Sequence, residues 1–479
     1  MHVLMIGGSD AGISAALRAR ELDQAADVTV VLEDAYPNFS ICGIPYYVSG
    51  EVVHWRNLAH RTIADLEAAG MRLRLDTTAR RIDVPGRKLL VTSAEGGEEV
   101  LGYDKLVIGT GAVPVRPPIT GLSGPDALGA GDGVHLLHSM GDTFAVMATL
   151  EQAAPSSAVI VGAGYIGLEM ADALTVRGLQ VTQMEQVPEV LPTVDPQLGA
   201  LVHAELAGRG VEVLTGTTVQ AISKGPPDGP GRLQVQATAA DGTAVTRTAD
   251  MVLVVVGVRP DTALAADAGA TLGTRGAIAV NPMMRTGLPD VFAAGDCVIT
   301  RHRLLGQTYL PLGTTAHKQG RVAGENALGG NRQFAGSLGT QVVKIFDQAA
   351  ARTGLRDHEA VAAGFDPVTI ESAADDHKAY YPGSHRITIR VTGDRTTGRL
   401  LGMQLFGHKN AEIAKRVDIA ATAIFHGMTV DAASDLDLSY TPPLGSPWDA
   451  VQMAAQAWVR GTRPRAVRGS GMENRLPGS

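Results

Sequence analysis

The chain has only two cysteines, Cys42 and Cys297, and their surroundings suggest different chemistry. A thiolate can attack a disulfide or persulfide sulfur, or be oxidised to a sulfenic acid. A lone reactive cysteine therefore needs a partner molecule, not a second thiol. Cys42 lies just before Gly43-Ile44-Pro45 and just after a strand–turn–helix–strand pattern. That placement sets it apart from the packed, inert cysteine that is the usual fate of this residue type, and it is the candidate catalytic residue. Cys297 follows Asp296 at a strand-to-helix corner and is expected to be a packed thiol. The count fits a reducing compartment with no disulfide framework.

Two glycine turns form the second chemical signal: Gly7-Gly8-Ser9-Asp10-Ala11-Gly12 and Gly162-Ala163-Gly164-Tyr165-Ile166-Gly167. Each follows an apolar run (residues 2–6 and 158–161) and opens a helical pattern (13–22 and 168–177), after which a second apolar run follows (28–32 and 180–184). Glycines at such a turn let backbone amides approach a pyrophosphate, and the helix N-terminus adds positive partial charge. Glu33 and Glu185 then stand where an acid accepts hydrogen bonds from a ribose. Ser9 replaces a glycine in the first motif, whereas the second is complete and runs on into Leu168-Glu169. A carboxylate at Glu185 would repel a 2′-phosphate and favours NADH over NADPH; the competing reading is a strand-end acid pointing elsewhere. Gly257, after the apolar run 251–256, joins the nucleotide candidates.

Positioning these residues requires α/β units. A length of 479 residues suggests roughly three domains. The expected division is a discontinuous first domain over 1–120 and 247–330, a second over 121–246, and an α+β domain over 335–460 built on strands at 340–346 and 387–391 and a helix at 411–426. A Pro/Gly-rich crossing spans 114–133, a loop spans 224–231, and a Gly/Pro/Arg-rich tail over 461–479 is expected to be disordered. A net charge of −8 with no basic block argues against nucleic acid, leaving small molecules or proteins as partners. The longest apolar run is too short to span a bilayer, and the N-terminal residues lack signal-peptide features. A soluble, cytoplasmic protein is expected. No metal site is expected.

Resemblance adds to this reading. Val107-Ile108-Gly109-Thr110-Gly111-Ala112 and Asp290-Val291-Phe292-Ala293-Ala294-Gly295-Asp296 resemble the flavin-contacting motifs of two-dinucleotide flavoproteins. The stretch 310–320 resembles the helix start aimed at the pyrimidine end of the flavin, where a helix dipole would stabilise negative charge. The resemblance implies FAD on Gly7, Gly8, Asp10, Ala11, Gly12, Glu33, Thr110, Gly111, Asp296, Thr314 and Thr315, with Asp296 on the ribityl chain. It implies NADH or NADPH on Gly162, Gly164, Tyr165, Ile166, Gly167, Glu185 and Gly257.

The segment Pro37-Asn38-Phe39-Ser40-Ile41-Cys42-Gly43-Ile44-Pro45-Tyr46-Tyr47 resembles the single-cysteine branch of pyridine nucleotide-disulfide oxidoreductases. That branch comprises coenzyme A-disulfide reductases, persulfide and polysulfide reductases, and NADH oxidases and peroxidases. The resemblance implies a glutathione-reductase-like α/β fold of two Rossmann-like domains with a C-terminal α+β dimerisation domain. His377-Lys378-Ala379-Tyr380-Tyr381 and Ser439-Tyr440-Thr441 look like tyrosine motifs whose phenols reach across a homodimer, where a phenol can donate a proton to a leaving thiolate. The His/Glu pair of glutathione-reductase-like enzymes is missing. Substrate-side candidates are Ser14, Arg18, Asn38, Ser40 and Tyr380. Arg18 could meet a phosphate, but Glu21 would repel one, Ile41 is apolar, and Trp448 stands where a lysine would help bind coenzyme A. The expected activity is hydride transfer from NAD(P)H through FAD to Cys42, which reduces a low-molecular-weight disulfide or persulfide. The alternative is reduction of oxygen or peroxide through a Cys42 sulfenate. A third reading, from another class, is a non-catalytic electron carrier that docks to a protein.

Overall fold

Strand His2–Ile6 lies between two parallel neighbours, so both its faces are covered and Val3 to Ile6 are apolar without alternation. In the computed structural model, which describes residues 1–226 and 231–462, it is the centre of a five-stranded parallel sheet. The order across that sheet is Val291–Ala293, Lys105–Ile108, His2–Ile6, Asp27–Val31 and Met71–Arg74. Helix Asp10–Leu22 packs along helix Gly313–Ala327. Their approach depends on small residues: a Cβ on Gly320 would lie 2.3 Å from the Ala11 carbonyl oxygen, and one on Gly324 would lie 2.2 Å from that of Ala15.

A second parallel sheet repeats the plan in the order Glu212–Leu214, Gln180–Met184, Ser157–Val161, Met251–Val254 and Val134–Leu136. Strand Met251–Val254 pairs with Ser157–Val161, so the second sheet continues past the expected limit at residue 246. In both sheets the strand order reverses beside the strand that enters the glycine turn. Such a switch point leaves a crevice outside the carboxyl ends of the strands, where nucleotides bind. The crossing region contributes strand Ala112–Pro114, antiparallel to Val258–Pro260, so the chain's two passages between the sheets hydrogen-bond to each other.

Residues Met1–Thr353 form one compact unit and Gly354 onward a second, a division later than the expected start at 335. The second unit has an antiparallel set, Pro367–Asp375, Arg386–Asp394 and Leu400–His408, with helices Ile413–Phe425 and Ala450–Thr462. Trp458 fixes the last helix by donating its indole N–H to the Val368 carbonyl at 2.7 Å. Part of the expected loop over 224–231, and residues 463–479 of the expected disordered tail, lie outside the described residues. Among the described residues, no helix is long and apolar enough to cross a membrane.

Candidate active site

The two glycine turns are built alike, for steric reasons. Gly7 has φ +103°, and a Cβ there would sit 2.0 Å from the Gly109 carbonyl oxygen. A Cβ on Gly12 would sit 1.9 Å from the Gly7 oxygen, so the helix start folds tightly against its own turn. In the second turn Gly167 plays that packing part, 2.2 Å from the Gly162 oxygen, whereas a Cβ on Gly164 would meet no atom within 4 Å. One glycine closes the turn and the other keeps open space above a helix N-terminus, which is the shape a pyrophosphate needs.

Around the first turn the structure gathers Gly8, Asp10, Ala11, Thr110, Gly111, Asp296, Thr314 and Thr315 at the carboxyl end of the sheet. Two of the side chains already donate to the protein. The Thr110 hydroxyl donates to the Asp261 carbonyl at 2.6 Å, and that of buried Thr315 donates to Ser337 Oγ at 3.2 Å. Both hydroxyls thus have their protons engaged and could meet a dinucleotide only as acceptors. Burial, with the Asp10 charge second, pushes Asp296 up to about 7. Glu33 is exposed just past strand Asp27–Val31.

At the second turn, Tyr165 and Ile166 open helix Tyr165–Val176, and Gly257 is exposed at the end of the neighbouring strand segment. Glu185 is buried, and its carboxylate accepts the Ala163 N–H at 2.7 Å and the Val187 N–H at 3.0 Å. The acid thus braces the turn beside the ribose position.

Cys42 is exposed, on the short turn Ile41–Gly43 ahead of helix Ile44–Ser49. Crowding by protein atoms pushes its thiol above the ordinary value, and the negative charges of Glu169, Asp10 and Asp296 add to the effect. Acids on both glycine-turn helices and at the end of the 290–296 motif thus all disfavour the thiolate form of Cys42. Cys297 is fully buried, its thiol directed at the carbonyls of Ala294 (3.4 Å) and Ile108 (3.7 Å).

Two residues not chosen from the sequence belong to the neighbourhood of Cys42. The Tyr46 hydroxyl donates to Glu169 Oε1 at 3.2 Å. Burial raises Glu169 to about 7, although the Tyr46 hydrogen bond and Lys344 oppose the shift; burial, then Glu169, also raises the Tyr46 phenol strongly. Lys344 pairs with Asp172 at 2.8 Å and Glu51 at 3.2 Å and lies 5.5 Å from the Tyr46 ring centre. Two acids three apart in the otherwise apolar helix Tyr165–Val176 were the available signal.

The substrate-side candidates divide. Ser14 Oγ is hydrogen-bonded to His317 Nδ1 at 2.8 Å, and Ser40 is half-buried beside the cysteine turn. Arg18 is neutralised by Glu325 at 2.6 Å and Glu21 at 2.9 Å, so its charge is not held ready for a phosphate. Asn38 lies behind the first turn, and its buried side-chain oxygen Oδ1 has no hydrogen-bond partner among the described residues. It is 1% exposed, and its backbone N–H donates to the Gly8 carbonyl at 2.8 Å, which braces the first turn from behind. In the second unit Tyr380 and Tyr440, both exposed, are brought together by a shared hydrogen bond, near in sequence to exposed Tyr381, Leu444 and Trp448.

Comparison with known proteins places the chain in a family. The family model described as pyridine nucleotide-disulphide oxidoreductase matches residues 1–320, and its dimerisation domain matches residues 340–451. The chain is 31% identical over 459 residues to an NADH oxidase of Methanocaldococcus jannaschii, covering 95% of this chain and 98% of the relative. It is 33% identical over 457 residues to a CoA-dependent NAD(P)H sulfur oxidoreductase of Pyrococcus furiosus, with the same coverage. Among solved structures, an NAD-dependent persulfide reductase from A. fulgidus superposes with a TM-score of 0.88 at 36% identity, covering 96% of this chain and 83% of that one. With the match running through both catalytic sheets and the C-terminal unit, the chain belongs to the pyridine nucleotide-disulphide oxidoreductase family and is an FAD-dependent NAD(P)H oxidoreductase of the disulfide-reductase type.

Proposed function

We propose that Cys42 is the redox residue and that the enzyme reduces a low-molecular-weight disulfide or persulfide with electrons from NADH. One observation carries this reading: of the two unbridged cysteines, Cys42 is exposed on the turn beside the first glycine motif, whereas Cys297 is fully buried. The Cys42 thiolate attacks one sulfur of the substrate, the substrate S–S bond breaks, and the leaving thiolate takes a proton. An electron pair then cleaves the resulting mixed disulfide, releasing the second thiol and regenerating Cys42. Supplying that pair from the nicotinamide is the chemistry bound FAD contributes. Glu169, with its pKa near neutrality and a hydrogen bond from Tyr46, is placed to hold the proton on the nicotinamide side.

The finer assignments follow from the same residues. The Glu185 carboxylate stands beside the second turn, where it would repel a ribose 2′-phosphate and favour NADH over NADPH. Tyr380 and Tyr440 act as proton donors across the interface of a homodimer. The neutralised Arg18 favours a small disulfide, persulfide or polysulfide, with coenzyme A disulfide as one candidate among them. The unbridged cysteines suit the reducing cytoplasm.

The test is steady-state NADH consumption with coenzyme A disulfide or polysulfide, compared with air-saturated buffer, for the wild type and Cys42→Ser. The variant is expected to keep its flavin and its hydride reduction but lose disulfide turnover. Rapid turnover on oxygen alone, with nothing added by disulfides, would establish the oxidase reading that the name of the M. jannaschii relative favours. Full electron transfer by Cys42→Ser would establish the carrier reading.

A further inference from the structure

We propose that Asp10, His60 and His317 form a binding site for one divalent transition-metal ion of the zinc class. Three separate parts of the chain supply the donors: the first turn of helix Asp10–Leu22, the link between the short helices Trp55–Leu58 and Ile63–Ala68, and helix Gly313–Ala327. One donor atom from each lies within 4.8 Å of the other two. His317 Nε2 is 3.3 Å from Asp10 Oδ1, and the two imidazole rings meet edge to face with centres 6.2 Å apart.

Three features argue for an ion here over a simple pair. First, Ser14 Oγ holds His317 Nδ1 at 2.8 Å, which turns Nε2 toward Asp10; a hydrogen bond to the distal ring nitrogen is the usual support of a metal-bound histidine. Second, the Asp10–His317 pair leaves the His60 imidazole without a hydrogen-bond partner among the described residues, whereas an ion would use all three donors. Third, the two helices are fixed against each other by the Gly320 and Gly324 contacts, so Asp10 and His317 have little freedom to separate.

Two imidazoles and one carboxylate suit zinc, cobalt, nickel or copper, not magnesium or calcium, which prefer oxygen. Three protein donors also leave a fourth position open, on the side where His60 is exposed. Because the Asp10 charge reaches Cys42, an ion held here stands at the approach to the redox sulfur and should slow turnover.

The experiment uses FAD-loaded protein stripped with a chelator and dialysed, then titrated with cobalt(II) by visible absorption and with zinc by calorimetry. The expected result is one ion per protomer with the absorption of a low-coordinate site, displaced by zinc and untouched by excess magnesium. His60→Ala changes an exposed residue and should keep the melting temperature and flavin spectrum of the wild type while abolishing the cobalt spectrum. Ser14→Ala should weaken zinc about ten- to a hundred-fold, as loss of the support of a ligand does. Zinc should inhibit the wild type and spare His60→Ala. Equal zinc affinity in the wild type, His60→Ala and His317→Ala overturns the site, as does binding that disappears only with Cys42→Ser.

Discussion

Two alanine substitutions in one turn, Gly164→Ala and Gly167→Ala, should separate folding from nucleotide binding. At Gly167 a Cβ would stand 2.2 Å from the Gly162 oxygen, 3.0 Å from its carbon and 3.1 Å from Gln183 Nε2. The first two neighbours are backbone, so the helix start must move by roughly an ångström, and overpacking of this kind costs about 1–3 kcal/mol. At about 2–4 °C per kcal/mol for a unit of this size, the melting temperature should fall by roughly 2–12 °C. Gly164 is the contrasting case. It caps the helix at φ −77°, ψ −170°, a conformation open to alanine, and no atom lies within 4 Å of a new Cβ. Folding should be unharmed or improved by about 0.4–1 kcal/mol through the stiffer unfolded chain. The new methyl would occupy the space reserved for the pyrophosphate, weakening NADH at least tenfold, about 1.4 kcal/mol. Stopped-flow reduction of the flavin against NADH concentration gives the affinity, and thermal unfolding followed by circular dichroism gives the stability. If Gly164→Ala binds NADH like the wild type, or loses as much stability as Gly167→Ala, the division of labour within the turn is wrong.

Other perturbations follow from the same geometry. Glu169 rises from 4.5 to about 7 on folding, so the fold disfavours its ionised form: the group does no harm below the unfolded value, and stability is lost as pH rises through that window. Glu169→Gln should therefore stabilise the protein near pH 8 by about 1–3 kcal/mol and by nothing near pH 4; a gain that does not vary with pH in denaturant titrations would refute this. Glu185→Gln should raise the ratio of kcat/KM for NADPH over NADH about tenfold, since the charge goes while an amide can still brace the turn; an unchanged ratio excludes Glu185 from cofactor choice. Tyr380→Phe and Tyr440→Phe should each slow disulfide turnover while sparing flavin reduction by NADH. Equal loss in both half-reactions would show a structural role instead.

The nucleotide sites are legible in the amino-acid sequence because their requirements are local. A glycine turn between an apolar strand and a helix works through backbone geometry within a dozen residues, and the sequence carries that requirement openly at Gly162, Gly164 and Gly167. Cys42 is legible by scarcity and by the turn that follows it. Domain edges are less so. Strand Met251–Val254 reads as an apolar strand of either sheet, and only its pairing with Ser157–Val161 assigns it.

Sequence alone thus supplied the residue types proposed for the chemistry: one thiol set apart by its turn, two dinucleotide turns, and a pair of tyrosines far downstream. Tertiary structure decided the charge state and the use of each group, because those depend on neighbours distant in the chain. Arg18 lost its expected freedom to Glu325, and Asn38 was buried behind Gly8. Glu169 became a near-neutral acid through burial against Tyr46, and Asp10 was placed between two histidines. Desolvation and Coulomb forces act through space, so no pattern along the chain could have fixed them.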